Sequence, residues 1–239
     1  MRLDRLVGEM LSSRARAREA ITQGRVRVNG APVRDGAYNA SERDAVTLDG
    51  VIIGKREPLH LMLNKPAGCV TAREDAHFST VFGLLPPGLR TDELCAVGRL
   101  DRDVTGLLLL TEDGQLAHRL ISPRFMVNKV YRARVTGRLV SEDVLRMAEG
   151  LALSDFTARP ARLEILEASD AFSIALLTVH EGKFHQVKRM FAAIQHPVEA
   201  LSRQSVGGLM LDEALAPGQY RKLSPEEIAR LYALTEMSP

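Results

Sequence analysis

The chain of 239 residues has few cysteines, no long apolar run and almost no net charge. Its two cysteines, Cys69 and Cys95, are too few for a disulfide framework and form no CxxC metal knuckle, so we expect reduced core thiols. No apolar stretch approaches the roughly 20 residues of a membrane helix, and no signal peptide is visible. We therefore expect a cytoplasmic protein with no membrane contact.

Several sequence motifs of enzymes are also missing. There is no GxGxxG or GxxxxGK motif, so nothing supports a nucleotide cofactor, and there is no serine elbow. The segment from His180 to His185 looks like a zinc motif, but histidines five residues apart do not share a helix face as a four-apart pair does. We therefore predict no metal site and no cofactor.

The net charge of +2 hides an uneven distribution. Between residues 14 and 27, one acid stands against five arginines, namely Arg14, Arg16, Arg18, Arg25 and Arg27. Apolar residues at helical spacing predict two helices here, with Ser13 as the N-cap of the second, followed by an alternating strand. The arginines form either a solvated helix face or a surface that neutralises RNA phosphates, and we favour RNA.

The segment 55–58, Lys-Arg-Glu-Pro, interrupts both the helical and the strand periodicity. We therefore expect a small α+β module at residues 1–54, a linker at 55–58 and a larger domain at 59–239.

Alternation in the larger domain predicts strands at 59–63, 129–136, 161–166, 172–179 and 198–201. Helical spacing predicts helices at 114–121 and at 141–149, the latter with Ser141 as its N-cap. An apolar stripe that includes Phe184, Val187 and Ile194 predicts a helix in the basic segment that begins at Glu181. A capping box with proline at the first helical position opens the last helix at Ser224.

The stretch from Val97 to Gly114 is the most informative one. A bend with alternating arginines and aspartates at 99–103 runs directly into Leu107–Leu110, an apolar run short enough to be a buried strand. Gly98 and Gly106 bracket the bend and permit backbone angles or close approaches that a side chain would obstruct. A carboxylate on a rigid element beside arginines is a common way to build a site, and the alternative is a solvated turn.

Asp101, Asp103 and Thr105 also fit the DxDxT pattern of aspartate-nucleophile phosphatases of the haloacid dehalogenase fold. That fold requires a magnesium site with further acids downstream and a doubly wound parallel sheet. Here the later charged segment is basic, and the strands alternate as half-exposed antiparallel strands do. We therefore disfavour the phosphatase interpretation.

Three motifs and the N-terminal module resemble one family. Gly98–Asp101 with Val104–Thr111 resembles the catalytic signature of pseudouridine synthases, in the branch that modifies ribosomal RNA. Lys129–Tyr131 is similar to the tyrosine motif of that family, residues 181–193 are similar to its basic motif, and residues 1–54 resemble the S4 RNA-binding module. The resemblance implies an α+β fold: an S4-like domain, then a synthase domain with a mixed, largely antiparallel central sheet flanked by helices.

The resemblance also implies a reaction and its residues. A uridine of rRNA is isomerised to pseudouridine without a cofactor, and Asp101 is the essential carboxylate, either as a nucleophile at ribose C1′ or as the base that starts a glycal route. Tyr131 stacks on the target base, and Lys188 forms an ion pair with Asp101, with Arg189 as the fallback. Arg99 fills the gap left by the flipped-out base, or else contacts a phosphate or pairs with Asp103. Further RNA contacts are expected from Lys183, His185, Gln186 and Arg189.

The segment from Glu181 onward, including residues 215–220, is most similar to family members that act on small-subunit (16S) rRNA. We therefore expect a 16S target, and the alternative is 23S rRNA of the large subunit. An alternative of another class is a non-catalytic S4-type assembly factor. We expect the partner to be rRNA within a small-subunit assembly intermediate, and the protein to be a monomer.

Overall fold

The computed structural model describes residues 1–41, 44–53, 58–86, 89 and 94–237. The chain divides into two compact units, Met1–Glu57 and Pro58–Pro239. This division falls inside the predicted linker at 55–58, of which residues 55–57 lie outside the described residues. No helix among the described residues is long and apolar enough to cross a membrane.

The N-terminal unit packs two helices against a four-stranded antiparallel sheet. Its helices are α1 (Leu3–Leu11) and α2 (Arg14–Thr22), and its strands are β1 (Val26–Val28), β2 (Ala31–Pro32), β3 (Val46–Leu48) and β4 (Val51–Ile52), in the order β2-β1-β3-β4. As predicted, Ser13 caps α2 by accepting a hydrogen bond from the backbone N–H of Arg16. Buried side chains from both helices and from β1 and β3, such as Leu3, Ile21 and Val46, form one core.

The C-terminal unit is built on a large mixed sheet. Its strands are β5 (His60–Lys65), β6 (Cys95–Ala96), β7 (Thr105–Thr111), β8 (Lys129–Thr136), β9 (Leu151–Ala152), β10 (Thr157–Ala158), β11 (Arg162–Ala168), β12 (Phe172–Val179), β13 (Val198–Val206), β14 (Leu209–Met210) and β15 (Tyr220–Lys222). Its helices are α3 (Gly114–Ile121), α4 (Ser141–Glu149), α5 (Gln186–Ala193) and α6 (Pro225–Leu234). The main order is β11-β12-β8-β13-β7-β5-β15, with β14 on β13 and β6 on β7, while β9 and β10 pair separately.

Strand β7 lies inside this sheet and is covered on both faces. Leu108 and Leu110 pack on one face with Met190 and Phe191 of α5. Leu107 and its neighbours on the other face pack with α3 and α6. A strand buried on both faces has an uninterrupted apolar sequence, which explains the run of four leucines.

The pairing within the sheet is antiparallel except between β13 and β7, where Arg203 lies in register with Gly106. Gly106 has a φ of +97°, and a Cβ atom there would lie 2.3 Å from the carbonyl oxygen of Arg203. Only glycine permits this approach. The doubly wound parallel sheet that the phosphatase alternative requires is therefore not what the described strands form.

Two predicted details of the helices are wrong. The N-cap of α4 is Val140 rather than Ser141, because the Asp143 carboxylate accepts a hydrogen bond from the Val140 backbone N–H at 3.0 Å. Helix α5 begins only at Gln186, so Phe184 does not belong to its apolar stripe. The cause is His185, which adopts a left-handed conformation with a φ of +51° and turns the chain just before the helix.

Candidate active site

The bend that carries Asp101 is fixed by the last residue of β5 and by the loop that follows this strand. The ammonium of Lys65, which is fully buried, donates to the carbonyl oxygens of Pro66, Arg102 and Val104 at 3.0, 3.3 and 2.9 Å. The Thr71 hydroxyl donates to the Leu100 carbonyl at 2.9 Å and accepts from the Leu100 N–H at 3.1 Å. The bend is therefore tied to the loop after β5 on both sides of Asp101.

Lys188, in the first turn of α5, faces both aspartates of the bend. Its Nζ lies 3.4 Å from Oδ2 of Asp101, and 2.7 and 2.9 Å from the two carboxylate oxygens of Asp103. The predicted pairing of Lys188 with Asp101 is present, but Asp103 is the nearer partner. Asp103 is thus part of the site, although the family resemblance assigns it no role.

Charge and burial act in opposite directions on Lys188. Burial lowers its pKa, whereas the hydrogen bond and ion pair with Asp103, together with the attraction of Asp101, outweigh burial and raise the pKa above the ordinary lysine value. The hydrogen bond from Lys188 in turn lowers the pKa of Asp103. The cation beside Asp101 is therefore held in its charged form.

Asp101 and Lys188 line a pocket of about 70 Å³ together with Tyr131. Tyr131 is the residue that the tyrosine motif singles out as part of the site. Tyr131 lies on β8, is 8% exposed, and stands in register with Leu177 of β12 and Arg203 of β13. An aromatic ring on a central strand is a rigid pocket wall, because the neighbouring strands fix it on both sides. The pocket thus joins a carboxylate, a cation and an aromatic ring.

His185 also reaches Asp101. Its Nε2 lies 3.5 Å from Oδ1 of Asp101, and its imidazole stacks on the ring of Phe184 with a centroid distance of 3.7 Å. Lys183, two residues earlier, is exposed and places its ammonium 4.1 Å from the centroid of Phe156. Both side chains are accessible at the mouth of the pocket, as the predicted RNA contacts require.

Two other predicted contacts of the basic segment are engaged within the fold. Gln186 is buried, donates to Oε1 of Glu181 at 2.8 Å and accepts from the Lys183 N–H at 3.0 Å, so it holds the loop in place and is poorly placed to contact RNA. Arg189 forms an ion pair with Asp155 and donates to the Ser154 hydroxyl at 3.0 Å. Arg189 is therefore not a substitute for Lys188 as the partner of Asp101.

Two arginines near the bend differ sharply in their surroundings. Arg99 is exposed, and among the described residues its side chain has no hydrogen bond or ion pair; in particular, Asp103 pairs with Lys188 instead. Arg203 is 1% exposed and donates through Nε to the Leu107 carbonyl at 2.7 Å, while its Nη2 has no partner among the described residues. Neither Arg203 nor Lys65 was predicted as part of the site, and no local pattern around them distinguishes a buried cation from a surface one.

The five arginines between residues 14 and 27 that were predicted to contact RNA are all exposed. Within the described part of the chain, the side chains of Arg14 and Arg16 have no partner. Arg18 is attracted to Asp4, Arg27 donates to the Gly30 carbonyl, and Arg25 forms a bidentate ion pair with Asp49. The arginines at the start of α2 are therefore the ones most available to bind an external phosphate. In neither unit do the described residues include a group of three or more side chains able to hold a metal ion.

Known proteins are similar to this chain in both of its units. A family model described as RNA pseudouridylate synthase matches residues 60–193, and an S4 domain model matches residues 1–46. The chain is 40% identical to ribosomal small subunit pseudouridine synthase A of Vibrio vulnificus over 95% of this chain and 98% of that protein. The Escherichia coli protein of the same name is also 40% identical, over 96% and 99% of the two chains.

Two further matches extend the comparison. An uncharacterized RNA pseudouridine synthase of Bacillus subtilis is 39% identical over 95% of this chain and 97% of that protein. A crystal structure of a pseudouridylate synthase superposes with a TM-score of 0.68 at 37% identity, covering 97% of this chain and 99% of the other. The chain therefore belongs to the RNA pseudouridylate synthase family, with an S4 domain preceding the synthase domain.

Proposed function

We propose that this pseudouridine synthase isomerises one uridine of 16S rRNA in the small ribosomal subunit. The observation that carries the proposal is the convergence of Asp101, Lys188 and Tyr131 on one pocket. The target is supported by relatives named for the small subunit that match over almost the whole chain, S4 domain included.

In this reaction the bond between ribose C1′ and uracil N1 breaks, the base turns, and C1′ joins C5. The proton on C5 is released and N1 takes one up, so that substrate and product are isomers and no oxidant or reductant is consumed. Asp101 supplies the carboxylate, either as the nucleophile at C1′ or as the base of a glycal route. Lys188 places a positive charge beside that carboxylate, and Tyr131 stacks on the uracil.

The predicted RNA contacts that remain accessible lie at the mouth of the pocket and in the S4 domain. Arg99, Lys183 and His185 line the mouth of the pocket, where the target nucleotide must leave its helix to react. The arginines of the S4 domain contact phosphates, which positions the rRNA without reading its bases. We also propose that the substrate is a partly assembled small subunit and that the enzyme acts as a cytoplasmic monomer.

The decisive test is tritium release from 16S rRNA labelled at C5 of uridine, measured in excess chelator. We expect release by the wild-type protein and none by Asp101→Asn, with equal rRNA binding by both. Full activity of Asp101→Asn would remove Asp101 from the mechanism. Binding without conversion by the wild-type protein would favour the assembly factor, and phosphoester turnover that stops on chelation would restore the phosphatase interpretation.

Mapping pseudouridines in rRNA from a deletion strain identifies the target. We expect one 16S pseudouridine to disappear and to return when the wild-type gene is restored. A loss confined to 23S rRNA would establish the large-subunit alternative. Turnover of naked 16S rRNA, partly assembled particles and mature subunits then tests the substrate form, and sedimentation tests the monomer.

A further inference from the structure

Phe184 is the most exposed large apolar side chain among the described residues, with 76% of its surface accessible. It lies at the mouth of the active site, between Lys183 and His185. A single exposed apolar side chain is ordinary on a protein surface, but one at the mouth of an active site is placed where a substrate can contact it. Its position therefore calls for a ligand with an apolar or aromatic face.

The orientation of the ring follows from the backbone. Because His185 is left-handed, Phe184 leaves the helical path, and its ring lies almost parallel to the His185 imidazole, at 20° and 3.7 Å. The imidazole covers one face of the phenyl ring. His185 in turn reaches Asp101 at 3.5 Å, so the stacked pair extends outward from the catalytic carboxylate.

The loop that carries the ring is held in place. Oε1 of Glu181 accepts hydrogen bonds from the Gln186 amide at 2.8 Å and from the Arg159 N–H at 2.9 Å, and the Lys183 N–H donates to Gln186 at 3.0 Å. A ring on an ordered loop loses little conformational freedom when a ligand stacks on it.

Phe184 lines a second, wider cleft of about 810 Å³, which also includes Asp101. Four cationic side chains line this cleft, namely Arg73, Arg99, Arg102 and Lys183. Asp101 is the one carboxylate among its described lining residues. A cationic groove with an accessible aromatic ring is the combination with which proteins bind single-stranded nucleic acid, through phosphate contacts and base stacking. The 70 Å³ pocket beside it is much smaller.

We propose that Phe184 forms a stacking subsite for an unpaired nucleobase that neighbours the reacting uridine in the RNA strand. This proposal rests on the proposed function, since the uridine that reacts at Asp101 sets where the neighbouring base lies. The subsite requires a substrate strand that is locally unpaired beside its target, and it places that strand in the wide cleft.

The first test measures binding of an RNA oligonucleotide that spans the mapped uridine, in an Asp101→Asn background so that no conversion intervenes. Phe184→Ala is expected to weaken binding by about 5- to 150-fold, the range for loss of one stacked base. Phe184→Leu, which keeps an apolar side chain without a ring, is expected to bind as weakly as Phe184→Ala, and Phe184→Tyr is expected to bind as the parent does. Leu145→Ala, at a 64% exposed site on α4 outside the cleft, is the matched control and is expected to change nothing.

The second test replaces each nucleotide beside the target by an abasic residue, one at a time. At one position, Phe184→Ala is expected to cause no further loss, because the base that would stack is already absent. Unchanged binding by Phe184→Ala or Phe184→Leu would overturn the subsite. It would also be overturned if, at every abasic position, the loss of affinity caused by Phe184→Ala were the same as with the intact RNA. The proposed function fails separately, if wild-type protein does not convert the uridine.

Discussion

The exposed cations of the N-terminal unit and the cations of the active site have opposite surroundings. At the start of α2, Arg14 and Arg16 extend into solvent without partners among the described residues. In the active site, Lys65 is enclosed by backbone carbonyls and Lys188 is held by two carboxylates. The first arrangement leaves charge available to any phosphate, whereas the second fixes a charge at one point.

This difference has a physical consequence. An unpartnered surface arginine contributes to RNA affinity through counterion release, and its contribution depends on salt and not on exact geometry. A partnered lysine contributes through its position, because its field acts on a neighbouring carboxylate a few ångströms away. Substitutions in the first region should therefore change RNA binding, and substitutions in the second should change turnover.

Removal of the active-site cation gives the largest expected effect. Lys188→Met is expected to lower single-turnover tritium release by about 100-fold or more, as loss of a preorganised charge does, with RNA affinity nearly unchanged. Lys188→Arg keeps the positive charge but replaces a compact ammonium by a planar guanidinium. Its rate of tritium release should therefore lie between those of the wild type and Lys188→Met. Arg189→Met is the matched control: it removes an equal charge one residue away that pairs with Asp155. If both Met variants lose activity equally, the position of the charge is unimportant and the comparison fails.

Removal of the positive charges on α2 should have the second-largest effect, and the effect should be on rRNA binding. The triple variant Arg14→Gln, Arg16→Gln and Arg18→Gln is expected to weaken rRNA binding by about 10-fold or more and to leave the turnover of bound RNA unchanged. Each lost phosphate contact reduces the slope of log affinity against log salt by about 0.7 to 0.9. Arg5→Gln on α1, where the arginine pairs with Glu9, is the single-charge control. An unchanged salt slope in the triple variant would return these arginines to the role of a solvated face.

Asp103 tests how far the active-site cation depends on its nearer partner. Because Asp103 is 71% exposed, its ion pair is worth no more than about 1 kcal/mol, and Asp103→Asn should lower kcat by at most about 5-fold with KM unchanged. Loss of this partner lowers the pKa of Lys188, so the activity of the variant should also decline at a lower alkaline pH than that of the wild type. Asp103→Glu should restore both. A rise in KM alone would indicate that Asp103 acts on RNA binding instead.

The sequence predicts those helices, strands and caps that are determined by residues close together in the chain. The bounds of β8 and α3 follow from periodicity, and the capping box at Ser224 is present, with the Glu227 N–H donating to the Ser224 hydroxyl. The site was predictable only in part. The resemblance singled out Asp101, Tyr131 and Lys188, but the contact between Lys65 and Val104 joins residues 39 positions apart, and no local pattern encodes it. Helical spacing places Phe184 in the stripe of α5, because it does not reveal the left-handed turn at His185.

The smallest expected effect lies within the arginine cluster itself, where Arg25 differs from Arg14 by its ion pair with Asp49. If partners reduce the availability of a cation, Asp49→Asn should free Arg25 and tighten rRNA binding by less than about 3-fold, because solvent screens an exposed pair of this kind and leaves it only weakly stabilising. The salt slope should become steeper by less than about one unit. Asp170→Asn, which frees Arg138 in the synthase unit, removes the same charge and serves as the control. Equal tightening by both variants would mean that RNA responds to net charge alone, and the distinction between partnered and unpartnered arginines in the S4 domain would be lost.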